Sequence, residues 1–529
     1  MKTSYIVRYV ALLTVCSVSL TGFVSAADAV TVQTRCGRVS GETIDAKRTL
    51  TVFRGIPYAA PPVGNLRWRP PQSVLAWDGV RNCTEFSAAC PQSISKTSTQ
   101  RLDEDCLYLN VWTTQAGQDA ALPVMVWIHG GGLNQGWGHK AIYNGAALAR
   151  QGVVLVSINY RLGPFGFLAH RGLSAESKHG VSGNYGFRDQ IAALKWVQQN
   201  IKAFGGDGQN VTIFGESAGG TSVSVLCASP LARGLFQRTI LQSPWMFGFI
   251  TRMAEPNIVP LRRAVGGVAG AETLGAQWAQ RLFSDQDAPT LAQLRSVDAD
   301  RILKATGYYK TRATVDGWLL PDRPEAVFAQ GRQADVPTMI GTTRNEGNFF
   351  RNWISIASPE ELVDKLGAFY GQQAQAVSAL YQPDKKGNMR AAASQYVTDS
   401  WFVQPARRML RGMARVESLA FQYEFTMPSR RYPALGAPHA IDLRYVFGTL
   451  DPESASESEQ QFAKALMRYW VQFARTGNPN VEGLPAWPAY APKTAVYLEL
   501  GPKIQVGFHL RQEACDTLDR ATATVYESK

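Results

Sequence analysis

Short apolar runs recur along the chain, each bounded by Gly, Pro or Asn: "LPVMVWI" (122–128), "GVVLVSI" (152–158), "VTIF" (211–214), "TILQS" (239–243) and "VPTMI" (336–340). They are continuous rather than alternating and rich in β-branched residues, the pattern of strands covered on both faces. Between two of them, "DQIAALKWVQQNIKAFGG" sets Ile191, Leu194, Val197, Ile201 and Phe204 at three- and four-residue steps. That spacing predicts a helix with one buried stripe, stopped by Gly205. Strand, helix, strand in this order requires parallel crossovers, hence an α/β fold with a mostly parallel central sheet flanked by helices. Residues 255–335 and 352–415 read as mainly helical insertions covering a pocket. Within them, "SPEELVDKLGAFYG" opens with Ser358 as N-cap, Pro359 in the first turn and Glu361 to complete a capping box. "TAVYLEL" (494–500) returns to strand character.

Composition changes the picture only at the ends and the surface. The chain has 529 residues, 45% hydrophobic and 18% charged, an ordinary globular balance. No Ser/Gly linker, charge block or repeat divides it, so residues 27–529 read as one domain. Residues 1–26 carry Lys2 and Arg8, the apolar run "YVALLTVCSVSL" and the small residues "VSA". This is the layout of a signal peptide cleaved after Ala26, too short and too interrupted by Ser and Thr to span a bilayer. The expectation is a secreted or periplasmic protein with no integral membrane segment once the leader is gone. Export permits disulfides. No C-x-x-C pair is present, which argues against a zinc or thiol-redox centre, and Cys227 in its apolar run reads as a buried free thiol. The formal charge is +12, or +10 without Lys2 and Arg8. Its basic residues are scattered rather than striped, so no nucleic-acid groove is indicated.

The chemistry centres on "VTIFGESAGG" (211–220), where a strand runs into Gly-x-Ser-x-Gly and then a helical stretch. That is the context of a nucleophile elbow, and Gly215 and Gly219 are what a strained serine backbone needs on either side. Ser217 is the candidate nucleophile, at a helix N-terminus where the dipole favours developing negative charge. "IHGGGL" (128–133) follows the strand at 122–128. Its bare amides suit an oxyanion hole, with Gly131, Gly132 and Ala218 as donors; no Lys-Ser/Thr follows as a phosphate-binding P-loop requires. A serine needs a base. In the order Ser, acid, His, only His439 and His509 follow Ser217. His439 stands in the Gly/Pro-set loop "LGAPHAIDL" and is the candidate base; His509, in a polar terminal segment, reads as a surface residue. Glu346 in "RNEG", just past the strand at 336–340, is the candidate acid that orients the imidazole.

With these residues in view, the chain resembles the type B carboxylesterases, the cholinesterase-like branch of the α/β-hydrolases. Similar segments run from "FRGIPYAAPPVGNLRWRPPQ" through "EDCLYLNVW", "VWIHGGG", "INYRLGPFGFL" and "GNYGFRDQIAALKWVQQNI" to "VDGWLLP", "HAIDLRYVFG" and "FARTGNPN". The resemblance covers roughly residues 30–515. It implies the α/β-hydrolase fold, a Ser217–Glu346–His439 triad, the same three oxyanion donors, and a supporting set of Glu216, Ser243 and Asp442. It also implies a Cys90–Cys106 disulfide. The segment between those cysteines lacks the tryptophan that cholinesterases place there, so choline esters are not the expected substrate. Cys36 and Cys83 are a second candidate pair, which leaves Cys515 unpaired.

The expected activity is hydrolysis of carboxylic esters through an acyl-serine, with no cofactor or metal and with a small-molecule ester as the partner. Amides, thioesters and lactones are alternative substrates of the same triad. A non-catalytic binding protein on this fold is the rival from another class; such proteins lack a triad member, and here all three are present. Trp245 and Phe247, after the "QSP" turn, are candidate pocket residues. Arg344 and Arg351 flank Glu346 and are candidates for recognising anionic, polycarboxylate esters.

Overall fold

The computed structural model describes residues 29–527, apart from 48, 96, 250–251 and 284–288, and apart from the side chains of 247–249, 252–253, 308, 524 and 526–527. The leader read at 1–26 lies outside the described residues. Among the described residues, thirteen strands form one mixed sheet. Its centre consists of β1 (Leu122–Ile128), β2 (Val154–Ile158), β3 (Gly206–Glu216), β4 (Arg238–Gln242), β5 (Thr338–Thr343), β6 (Ala420–Phe425) and β7 (Val496–Leu500). These seven run parallel in the spatial order β2-β1-β3-β4-β5-β6-β7. The flanks are antiparallel except for Val80–Asn82, which pairs in parallel with Arg38–Thr43: Tyr108–Thr113 pairs with β2 and leads to three N-terminal strands, and Gln505–Phe508 closes the far edge on β7.

The continuous apolarity of β1 has a direct structural cause. Successive side chains leave a strand on opposite faces, so Val124, Val126 and Ile128 enter one core while Met125 and Trp127 enter the other. The first core takes α1 (Tyr185–Asn200) and α2 (Ala218–Ala228). The stripe Ile191, Leu194 and Val197 is buried there, and Gly205 ends the following turn at φ 79°. The second core takes α4 (Glu457–Thr476), which buries Phe462, Leu466, Tyr469, Trp470 and Phe473. Ser456 and Glu459 form its reciprocal capping box and Gly477 ends it in the left-handed region.

The helical insertions include α3 (Pro359–Tyr370), where Ser358 caps Glu361 N–H. Glu361 does not return the bond to Ser358; its carboxylate reaches one residue further, to Ala357 N–H at 2.6 Å. Two strands too short to register in an apolar pattern, Ile258–Pro260 and Ala313–Val315, pair in parallel inside the first insertion. A buried ion pair fastens β2 to α1. The Arg161 guanidinium grips Asp189 through Nε at 2.8 Å and Nη2 at 2.7 Å, with both side chains removed from solvent.

Cys90 and Cys106 are joined, with Cα atoms 5.0 Å apart. Cys36 and Cys83 are not: both are free, as are Cys227 and Cys515. The sheet explains this correction. Arg38 pairs with Val80 and Ser40 with Asn82 in parallel, which sets Cys83 level with Gly41, five residues beyond Cys36. At about 3.3 Å per residue the gap is roughly 16 Å, far outside disulfide reach. No helix among the described residues is long and apolar enough to cross a membrane.

Candidate active site

Four central strands end at one level. Ile128 pairs with Gly215, Glu216 with Gln242, and Gln242 with Gly341. The loops beyond β1, β3, β4 and β5 therefore emerge side by side, around the point where the chain passes from β2 on one side of β1 to β3 on the other. Crevices of open parallel sheets form at such points.

Ser217 follows β3 with φ 57° and ψ −122°, and α2 starts at the next residue. Its N–H donates to Gln242 O at 3.0 Å and its carbonyl accepts from Thr221 N–H at 2.9 Å. These bonds hold a non-glycine residue in a region that its Cβ disfavours. The turn is so tight that a Cβ on Gly219 would sit 2.1 Å from Ile128 O. Beside it, the loop after β1 carries Gly131 at φ 111° and Gly132 at φ 62°. Gly131 O accepts from Asn134 and Gln135 N–H, and a Cβ on Gly131 would lie 1.8 Å from Gln135 O. The N–H groups of Gly131, Gly132 and Ala218 have no acceptor among the described residues.

Glu346 and His439, 93 residues apart in sequence, meet because their loops pair. Asn345 forms a parallel bridge with Pro438, supported by Asn345 N–H to Ala437 O at 3.0 Å and Ala437 N–H to Asn345 Oδ1 at 3.1 Å. The next residue on each side is Glu346 and His439. Glu346 Oε1 accepts Thr343 N–H at 2.7 Å, and Oε2 stands 2.5 Å from His439 Nδ1. Phe349, Phe350 and Phe402 pack their rings around the imidazole. His439 Nε2 lies 3.0 Å from Glu216 Oε1, an approach without hydrogen-bond direction.

The electrostatics follow from burial. Burial alone drives the imidazolium of His439 down, but the charges of Glu216 and Glu346 outweigh it and raise the group to about 9. Burial pushes Glu216 up to about 8 and Asp442 up to about 6. Asp442 Oδ2 accepts from Gln242 Nε2 at 2.7 Å, whereas Glu216 Oε1, Ser243 Oγ and Asp442 Oδ1 have no hydrogen-bond partner among the described residues. Ser243 is wholly buried at φ 45°. His129, the other histidine near the elbow, is held neutral by burial, down to about 3, and stacks on Tyr160.

Gly131, Gly132, Glu216, Ser217 and His439 open onto one cavity of about 600 Å³. Comparisons with known proteins give this geometry its context. The carboxylesterase family model matches residues 28–518. The chain belongs to the carboxylesterase family. It is 36% identical over 500 residues to a para-nitrobenzyl esterase of Bacillus subtilis, covering 90% of this chain and 95% of that protein. It is 34% identical to a fumonisin B1 esterase of Sphingopyxis macrogoltabida, covering 86% and 84%. Against liver carboxylesterase B-1 of Rattus norvegicus the identity is 33%, covering 91% and 92%. The solved structure of a PNB esterase superposes with a TM-score of 0.80 at 33% identity, covering 92% of this chain and 99% of that one. The chain is thus an α/β-hydrolase and a carboxylic-ester hydrolase.

Of the other pocket residues expected from the sequence, some line the cavity of this carboxylesterase and some do not. Trp245 lines the cavity. Phe247 lies on the short strand Phe247–Phe249, its side chain outside those described. The two arginines are corrections. Arg344 is drawn to Glu424 and Glu499 at 2.7 and 2.9 Å, because β6 and β7 end next to it, and it does not line the cavity. Arg351 donates to Ala434 O at 3.1 Å on the outside and does not line it either. Sequence reasoning missed Lys140, Lys310, Phe350, Trp353 and Trp401, which do. Only "NFFRNW" (348–353), directly after the candidate acid, carried a signal for some of them.

Proposed function

We propose that the carboxylesterase acts through Ser217 as nucleophile, His439 as general base and acid, and Glu346 as the group that fixes the imidazole. His439 Nε2 takes the hydroxyl proton while Ser217 Oγ bonds to the ester carbonyl carbon. The carbonyl oxygen becomes an oxyanion beside the amides of Gly131, Gly132 and Ala218, each such donor lowering the barrier by about 3 kcal/mol. When the tetrahedral species collapses, the carbon–alkoxy bond breaks and His439 returns the proton to the leaving alcohol. Water then repeats the sequence on the acyl-serine and releases the acid. Glu216 and Asp442 act on the imidazole through their charges, and Ser243 belongs to the same buried set.

The observation that supports this reading is the 2.5 Å contact of Glu346 with His439 Nδ1, made in a cavity that Ser217 and His439 both line. Ser217→Ala is expected to lower ester turnover by about 10⁶-fold with the fold intact by circular dichroism, since loss of a triad nucleophile has that scale. Turnover within tenfold of the parent would refute the assignment. The same reading takes 27–529 as one exported domain. N-terminal sequencing of protein recovered outside the cytoplasm should begin at Ala27.

A further inference from the structure

Two lysines from distant loops line the cavity that holds Ser217. Lys140 follows the glycine loop. Its carbonyl accepts from Tyr143 N–H at 2.8 Å, and its ammonium stands 4.7 Å from the centre of the Trp137 ring. Among the described residues no carboxylate lies within ion-pair distance of it. Burial draws its proton affinity down and the Glu216 charge opposes that.

Lys310 precedes the strand Ala313–Val315. Its Nζ is 3.2 Å from Glu255 Oε2, a carboxylate that the buried Arg312 guanidinium also binds. The loop is tied to the rest of the site. Thr311 Oγ1 is 2.5 Å from Asn134 Oδ1 beside the glycine loop, and Ala313 N–H donates to Asn257 O, whose side chain in turn holds Trp245 O at 2.8 Å. Glu216 is the one carboxylate among the cavity-lining residues, and it lies 3.0 Å from the His439 imidazole. The lining also carries the aromatic side chains Trp245, Phe349, Phe350, Trp353 and Trp401.

A cavity with cationic points on an apolar wall attracts a ligand with an apolar body and an anionic end. We propose that this carboxylesterase selects esters bearing a free carboxylate, with Lys140 and Lys310 holding that carboxylate while Ser217 attacks the ester carbonyl. The proposal rests on the assignment of Ser217 above and names the substrate class of the same site. It also moves the recognition of anionic esters away from Arg344 and Arg351, which are engaged elsewhere.

The test uses the full-length exported protein and two matched ester pairs, with acid release followed by pH-stat. Monomethyl adipate against methyl hexanoate places the charge on the acyl arm; 4-(hexanoyloxy)butanoate against butyl hexanoate places it on the alcohol arm. The kcat/KM ratio of charged to neutral ester should exceed one in at least one pair. In that pair, Lys140→Gln and Lys310→Gln should each lower the ratio about tenfold, Lys→Arg at either position should retain it, and 0.5 M NaCl should lower it in the parent. Turnover of the neutral ester by each variant reports its folding independently. A ratio below one in both pairs, or a ratio unmoved by both glutamine substitutions, overturns the proposal while leaving the esterase mechanism standing. Undiminished turnover of all four esters by Ser217→Ala would instead refute the mechanism.

Discussion

Substituting Gly219 by alanine tests whether the elbow's geometry, and not only its serine, creates activity. The added methyl would lie 2.1 Å from Ile128 O and 3.0 Å from both Ile128 C and His129 C, all backbone atoms. A flexible side chain could swing aside; the end of β1 and the start of α2 cannot. Real Cβ contacts do not fall below 3.0 Å, so the two elements must separate by about 1 Å in a close-packed interior. Such overpacking costs about 1–3 kcal/mol of stability. The catalytic effect should be larger. β1 leads into the glycine loop and α2 begins at Ala218, so the displacement shifts the amides of Gly131, Gly132 and Ala218, the proposed oxyanion donors, relative to Ser217. A misplacement of ~1 Å is worth about 10²-fold in rate. The assay is kcat and KM on a neutral ester beside a thermal unfolding scan at fixed rate. The expected outcome is a folded protein with a lowered midpoint, kcat reduced about 100-fold and KM nearly unchanged. A kcat within threefold of the parent would refute the reasoning, because the carbonyl and the methyl would then have found room that the packing denies.

Three further outcomes are expected. In Glu216→Gln the acid limb of the kcat/KM profile should move to lower pH by about 1–3 units. The ionised Glu216 raises His439, so removing that charge lowers the imidazole and keeps the base unprotonated further into acid; a limb that stays or moves alkaline would contradict this. Replacing Cys90 and Cys106 together by serine should lower stability by about 3 kcal/mol, the scale for a bridge separated by 16 residues. Because Gln92 inside that segment exchanges two hydrogen bonds with Gly136, KM for esters should rise as well, measured alongside the unfolding midpoint in urea. Arg161→Met strands Asp189 without its cation in the core and should destabilise by about 3–5 kcal/mol. Adding Asp189→Leu to that variant should recover most of the loss in the same urea titration.

The parts of the fold that could be read in advance were those where a single local rule decides. Strands β1 to β5 lie between two helical layers, so the stretches 124–128, 154–156 and 211–214 are mostly apolar and easy to read. The antiparallel N-terminal strands are half-exposed at an edge, Ala29–Gln33 burying one residue in five, and their pattern dissolves into loop. In the site, Ser217 and the glycine loop announce themselves because strained backbone demands glycine nearby. Glu346 and His439 were found by chain order and resemblance; the Asn345–Pro438 bridge that brings them together is a tertiary pairing with no local trace. Arg344 misled for the opposite reason: its position beside Glu346 is local, but its partners Glu424 and Glu499 arrive from strands far along the chain. Lys140 and Lys310 look like solvated charges in any linear reading, and only the folding of two distant loops onto one hollow gives them meaning.

The bridge between Asn345 and Pro438 has a consequence for recombining this enzyme with its relatives. Glu346 and His439, the proposed acid and base, sit one step beyond the same two hydrogen bonds, so they travel as a unit. A chimera that inherits 343–351 from one parent and 435–443 from another puts that register at the mercy of a mismatched seam. Crossover points should therefore fall outside both segments, so that they come from one parent.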